Sequence, residues 1–319
     1  MSAISSPVRG LRWVCTILLM TTGAVVLLVL VSACVKQRLP GGLAKLKPCR
    51  VDGIDEELFC GKLTVFENRE TRTGRTIDLN VAVLPAFDQK NKAEPLFDLA
   101  GGPGASAVDA AGFYAREGKE YRRRHDVVCV DQRGTGESNR LAIWREKTPS
   151  YYLSEMYPVD YVQKMRHELE KRADLTKYTT SIAMDDLDDV RAWLGYDRIN
   201  LVGWSYGTRA ALVYMRQHPE HVRSAILLCV APMDLKMPLH HSEAAERALD
   251  LLLSECEQDA TCHAAFPQIR EDWKKTLAQL EKEPARVEYS PPKTRAPTTL
   301  EIKRDVFAEK IRTWVRLVI

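Results

Sequence analysis

The sequence lacks an excess of charge of either sign. Its 46 Lys and Arg oppose 43 Asp and Glu, a net of +3, and the basic residues are scattered, which excludes a nucleic-acid footprint. It has no C-x-x-C and no H-x-x-x-H pair, so neither a zinc site nor any other metal is expected. Internal repeats and low-complexity segments are also missing, which excludes solenoids and flexible arrays. Long uncharged runs are missing too, with one exception at the N-terminus.

That exception is residues 13–35, preceded by Arg9 and Arg12. The run is long enough to span a bilayer. A basic start followed by an apolar stretch is also the pattern of an export signal. Its end, Leu30-Val31-Ser32-Ala33-Cys34, resembles a bacterial lipoprotein signal, in which the cysteine becomes the lipidated first residue. An uncleaved anchor helix and soluble secretion are the alternatives. All three place the body on the periplasmic or extracellular side, and the first two hold it to the membrane through this segment. Cysteine usage points the same way. Cys49 and Cys60 form one close pair and Cys256 and Cys262 another, and oxidising compartments favour such pairs as disulfides. Cys129 and Cys229 sit in apolar, strand-like runs and are expected to be buried thiols.

The body divides into a tether and entry loop (35–60), a core (61–233) and a cap or lid region (234–319). Residues 63–66 and 77–83 have strand composition, with a polar turn around Gly74, and predict a hairpin. Residues 95–99, 126–131, 199–202 and 222–230 are short apolar strands. Helices are expected over 105–118, in a segment presenting Val162, Met165 and Leu169, and in another presenting Ala183, Leu187, Val190 and Leu194 that stops at Gly195. Strands alternating with helices argue for an α/β fold with a mostly parallel sheet behind the hairpin. Residues 139–158 are irregular and aromatic. After Pro232 the pattern reads as helices over 243–253, 269–280 and 305–318, with a cysteine loop and a Ser290-Pro291-Pro292-Lys293 loop between them. No further buried strand is legible, so the cap is expected to be helical.

Three motifs stand in order: Gly101-Gly102-Pro103-Gly104, Asp131-Gln132-Arg133-Gly134-Thr135-Gly136 and Gly203-Trp204-Ser205-Tyr206-Gly207. The last is G-x-S-x-G between a strand and a helix, where glycines leave room for a sharp turn that exposes a serine hydroxyl. Together they resemble the α/β-hydrolase fold, and more narrowly the proline iminopeptidase and tripeptidyl aminopeptidase-like family of exported serine exopeptidases, from about residue 49 to the end. The resemblance also takes in Tyr178-Thr179-Thr180, Asp186-Leu187 and the Cys256–Cys262 pair. It implies Ser205 as nucleophile, the backbone N–H groups of Tyr206 and Gly102 as oxyanion hole, no cofactor, and a peptide or small acyl substrate. The family often has histidine where this chain has Ala100, which puts the loop's anchoring in question. Asp131 and Arg133 are expected to brace neighbouring loops. A dinucleotide reading is also open: Gly102-Pro103-Gly104-Ala105-Ser106-Ala107 fits G-x-G-x-x-A, with Asp131 ending the next strand. The proline and the serine elbow favour the hydrolase.

A serine needs a base, and the base an acid, in the order Ser, Asp or Glu, His for this fold. The chain reaches residue 319 while still cap-like, so the expectation is a form shortened at the C-terminus, with the last core strands missing and a sheet edge open. His218 and His221 lie at the far end of the helix leaving Ser205. Asp234 with His240 or His241 keeps the required order and is the candidate acid and base. His125, His167 and His263 are less well placed. Glu243, Glu246, Glu255 and Glu257 are the cap acids that could hold a free amine. The expected function is a serine hydrolase releasing N-terminal residues or short peptides, with an inactive pseudo-hydrolase and a carboxylesterase as alternatives.

Overall fold

Alternation of apolar side chains across each strand decides the architecture. The computed structural model describes residues 43–142, 148–154, 157–290 and 297–318. The expected export segment, Cys34, the first part of the tether and Pro291-Pro292-Lys293 lie outside the described residues. Among them no helix is long and apolar enough to cross a membrane.

Strands β1 (Lys47–Cys49), β2 (Leu58–Phe66), β3 (Thr76–Leu84) and β4 (Leu96–Leu99) come first, then helix α1 (Ala111–Ala115) and β5 (Val127–Val130). Helices α2 (Pro149–Tyr152), α3 (Val159–Glu170) and α4 (Thr180–Leu194) follow, then β6 (Ile199–Trp204), α5 (Tyr206–Gln217) and β7 (Val222–Leu228). The seven strands form one sheet in the order β1-β2-β3-β5-β4-β6-β7. Pairing is antiparallel up to β3–β5 and parallel across β5–β4–β6–β7. The expected hairpin is the β2–β3 pair, with Leu63 opposite Leu79 and Val65 opposite Ile77.

Odd and even strand positions feed two cores on opposite faces. Val81, Val83, Phe97, Leu99, Val128, Val130, Ile199 and Leu201 pack with α4 and α5 on one face. Ala82, Leu84, Leu96, Val127, Cys129 and Val202 pack with α1 on the other. Helix α4 presents Ala183, Leu187, Val190 and Leu194 to the first core, and all four are buried. It is capped by the Thr179 hydroxyl at one end and stops at Gly195, whose φ of 78° is left-handed.

Several expectations differ from what is observed. Pairing begins at Lys47, inside the expected entry loop, because the Cys49–Cys60 disulfide holds β1 against β2. Only residues 111–115 of the expected 105–118 helix are α-helical, with a 3-10 turn over Lys119–Arg122. The anchoring of 105–108 to Asp131 draws that stretch into a turn. On α3 only Leu169 is buried and Val162 is exposed. Cys129 is buried, but Cys229 is exposed, because it lies beyond the end of β7 where the chain turns away from the sheet. Strand β7 bonds to β6 alone among the described residues, and Ile226 on it is exposed.

The cap contains α6 (His241–Gln258), α7 (Ala260–Ala265), α8 (Ile269–Lys282), β8 (Ala285–Tyr289), β9 (Thr298–Ile302) and α9 (Arg304–Val318). The expected cysteine loop is a break between helices: Asp259 caps α7 and a disulfide joins Cys256 to Cys262. The purely helical reading of the cap is corrected by β8 and β9, an antiparallel pair separate from the main sheet. Its strands are short and mostly exposed, so no apolar run announces them.

One buried ion pair ties the first core together. Arg133 and Asp186 are 1% and 2% exposed, and the guanidinium meets both carboxylate oxygens at 2.6 and 2.8 Å. Arg133 also donates to the carbonyls of Glu67 and Lys177, and Arg69 reaches Asp186 at 2.9 Å. Burial raises the Asp186 carboxyl more than the two guanidiniums lower it. Arg133 is thus a brace, linking the β5 exit to β2 and α4. Asp186→Ala is expected to lower stability by about 3–5 kcal/mol, because it strands a buried guanidinium. Urea unfolding of variant and parent checks this, and an unchanged midpoint would count against the brace.

Candidate active site

The sharpest feature of the backbone is at Ser205. Strand β6 ends at Trp204 and α5 begins at Tyr206, and Ser205 between them has φ 52° and ψ −115°. A non-glycine residue there is strained and must be held by its surroundings. The packing that holds it has no clearance. A Cβ on Gly207 would lie 1.8 Å from the Leu99 carbonyl oxygen, and one on Gly203 would lie 2.6 Å from the Gly207 oxygen. The Ser205 N–H donates to Leu228 O at 2.9 Å, and the Thr208 hydroxyl donates to Ser205 O at 2.6 Å. Thr208 Oγ1 also accepts from Ala231 N, so the elbow is tied to the exit of β7. The Ser205 side chain itself is exposed.

The glycine loop after β4 lies on this elbow. A Cβ on Gly101 would sit 2.9 Å from Trp204 O and 3.4 Å from Ser205 Cβ, so only glycine permits the approach. Gly102 follows with φ 104°. Tyr206 is the first residue of α5, so its N–H has no acceptor within the helix. The Tyr206 hydroxyl is shared with Thr180 Oγ1 at 2.8 Å, at the start of α4. Behind the loop Asp131 accepts from Ser106 Oγ, Val108 N, Asn80 Nδ2 and Glu137 N, at 2.7 to 3.2 Å. A Cβ on Gly136 would collide with that carboxylate. Asp131 is therefore filled by the protein's own donors, as a brace would be and a ribose ligand would not.

A buried acid under the elbow escaped the sequence reading. Asp98 on β4 is 2% exposed, accepts from Tyr114 Oη at 2.6 Å and from Trp204 Nε1 at 3.2 Å, and its Oδ2 has no partner among the described residues. Burial raises its carboxyl to about 6 despite those two donors. Trp204, the residue before Ser205, is also held edge-on by Phe113 at 5.6 Å. The available signal was one acid in the otherwise apolar run Leu96-Phe97-Asp98-Leu99.

The candidate acid and base are not brought to Ser205. Among the described residues no side chain accepts from the Ser205 hydroxyl. His240 faces Glu243 at 3.4 Å, while Asp234 and His241 are exposed. Arg209 accounts for this by donating to the carbonyls of Pro232 and Leu235 at 2.6 and 2.9 Å, which holds their loop in a tight turn of its own. The Ser205–Asp234–His240 or His241 triad is therefore corrected: these residues do not form a relay. His218 and His221 pair with Asp185 and Asp188 at the other end of α5. His125 bonds the Glu94 carbonyl. Of the cap acids, Glu257 is taken by Arg270.

Comparison with known proteins fits this geometry. The family described as alpha/beta hydrolase fold matches residues 95–282. The serine protease Hip1 of Mycobacterium tuberculosis is 28% identical over 273 residues, covering 75% of this chain and 51% of that protein. The tripeptidyl aminopeptidase of Streptomyces lividans is 26% identical over 212 residues, covering 56% and 36%. The proline iminopeptidase of Heyndrickxia coagulans is 25% identical over 216 residues, covering 64% and 60%. The chain thus spans about half the length of the Hip1 protease it matches.

Two outcomes follow from the packing and the buried acid. Gly207→Ala, with its Cβ 1.8 Å from a backbone oxygen, is expected to destabilise by more than about 3 kcal/mol, measured by urea unfolding. The folded-state Asp98 carboxyl lies above its ordinary 3.8, so its contribution is complete below that value and is lost as pH rises through about 6. Relative to Asp98→Asn, which does not titrate, the parent is expected to lose up to about 3 kcal/mol between roughly pH 4 and pH 7. Parallel slopes for the two proteins would show that Asp98 does not titrate in this range.

Proposed function

We propose, since the chain belongs to the α/β-hydrolase fold family, that it carries the nucleophile and oxyanion hole of a serine peptidase of the aminopeptidase type. The observation that carries the reading is the strained Ser205 between Gly203 and Gly207, with the Gly101–Gly104 backbone against it. The likeness to a serine protease, a tripeptidyl aminopeptidase and a proline iminopeptidase supports it.

In this reading the substrate carbonyl carbon sits over Ser205 Oγ. Its oxygen points to the N–H groups of Tyr206 and Gly102, which are fixed where the negative charge develops. Attack forms an acyl-enzyme and releases the amine of the shortened peptide, and water then frees the acyl part. The proton from Ser205 goes to a base that does not stand beside it among the described residues. An exported, membrane-held location belongs to the same proposal. The uncharged run at 13–35 and the two disulfides support it.

Three chromogenic substrates test the proposal: an aminoacyl arylamide with a free amine, its N-acetyl counterpart and a simple aryl ester. The free-amine arylamide is expected to be hydrolysed fastest, with all turnover lost in Ser205→Ala. Turnover of the ester alone would make the chain a carboxylesterase. No Ser205-dependent turnover of any of the three by folded protein would make it a pseudo-hydrolase.

A further inference from the structure

At the end of α5 away from Ser205, four side chains from three elements converge. Asp185 and Asp188 stand on α4, His218 follows the last residue of α5, and His221 closes the 3-10 turn Pro219–His221 that leads into β7. In 3-10 geometry residues three apart eclipse, so the H-x-x-H spacing puts both imidazoles on one side of the turn. Their rings stack nearly parallel, at 11° with centroids 6.1 Å apart. His221 Nδ1 is 2.8 Å from Asp188 Oδ1, and His218 Nδ1 is 3.9 Å from Asp188 Oδ2. One donor atom each from Asp188, His218 and His221 lies within 4.8 Å of the others.

We propose that Asp188, His218 and His221 bind a transition-metal ion, zinc above all, that fastens α4 to the turn entering β7.

Two imidazole nitrogens and one carboxylate oxygen are a zinc-type donor set, with water as the fourth ligand, and they disfavour magnesium and calcium. Donors around tetrahedral zinc stand about 3.3 Å apart, so the three groups need to close by roughly 1.5 Å at most. The second partner that a metal-bound histidine requires is already in place: His218 Nε2 faces Asp185 Oδ1 at 3.0 Å, leaving Nδ1 for the ion. All three ligands are partly exposed, which gives an ion a way in. Arg191 also pairs with Asp188, at 2.7 Å, and its positive charge opposes a second cation. Affinity is therefore expected in the micromolar range. The site is structural, because the 12 residues of α5 separate it from Ser205 by about 18 Å. Its effect falls on β7, the strand bonded on one side only among the described residues.

Calorimetric titration of zinc chloride into the full chain tests this, without a histidine tag and in mild detergent because of the 13–35 run. The expected result is one zinc per chain, a thermal midpoint that rises with zinc but not with magnesium, and a visible absorption band on cobalt substitution. His218→Ala and His221→Ala are each expected to weaken zinc by more than about tenfold and to abolish the rise. His221→Gln, which keeps a hydrogen-bond donor for Asp188, covers the case in which an alanine variant does not fold. No zinc binding by the parent overturns the proposal. So does zinc binding unchanged in His221→Gln or in the folded alanine variants.

Discussion

The close approach of two backbones holds the structure's central feature in place. Gly207 meets the Leu99 carbonyl and Gly203 meets Gly207 with no space for a methyl group. That contact sets α5 against β4 and forces the single residue between strand and helix into a strained conformation with positive φ. The strain at Ser205 is sustained because β4, β6 and α5 are each fixed elsewhere: β4 and β6 by parallel pairing, α5 by its buried face against α4. A methyl group at either glycine would separate the layers, so the elbow and the core are one mechanical problem.

Around this contact the charged residues do bracing work. Asp131 fastens the turn after the glycine loop, Arg133 and Asp186 lock the β5 exit to α4, and Asp98 sits under Trp204. Burial keeps these groups from water, so each depends on protein donors or acceptors for its solvation. Asp98 is the least satisfied, with one oxygen unpartnered and its carboxyl raised to about 6. A buried acid of that kind couples the packing beneath Ser205 to pH. It does so through Trp204 and Tyr114, which donate to it.

Much of this was legible in the sequence wherever a single strong constraint acted. Gly203, Gly207 and the apolar face of α4 each answer to one local rule, of clearance or of period. Asp131 and Arg133 read as braces because they follow a buried strand into a glycine-rich turn. What escaped depended on partners distant in sequence. Asp98 reads as a stray acid until Tyr114 and Trp204 are brought to it. His218 and His221 read only as histidines at the far end of the helix from Ser205 until α4 supplies Asp185 and Asp188. The β8–β9 pair has short, charged strands that pair only with each other, so nothing apolar marks it. Cys229 sits in an apolar run, yet the turn beyond β7 exposes it. The loop carrying Asp234 and His240 lies in the right order along the chain, but Arg209 fixes it in a turn that forms no relay with Ser205.

The geometry at Ser205 is open to direct test by a fluorophosphonate probe, which phosphonylates an activated serine with loss of fluoride and turns its phosphonyl oxygen towards the neighbouring backbone N–H groups. The adduct is located by peptide mass spectrometry on folded chain. A single modification at Ser205, absent in Ser205→Ala, is the expected result. Folded protein that takes up no probe, or takes it up at another residue, would contradict an elbow built to present Ser205 as a nucleophile.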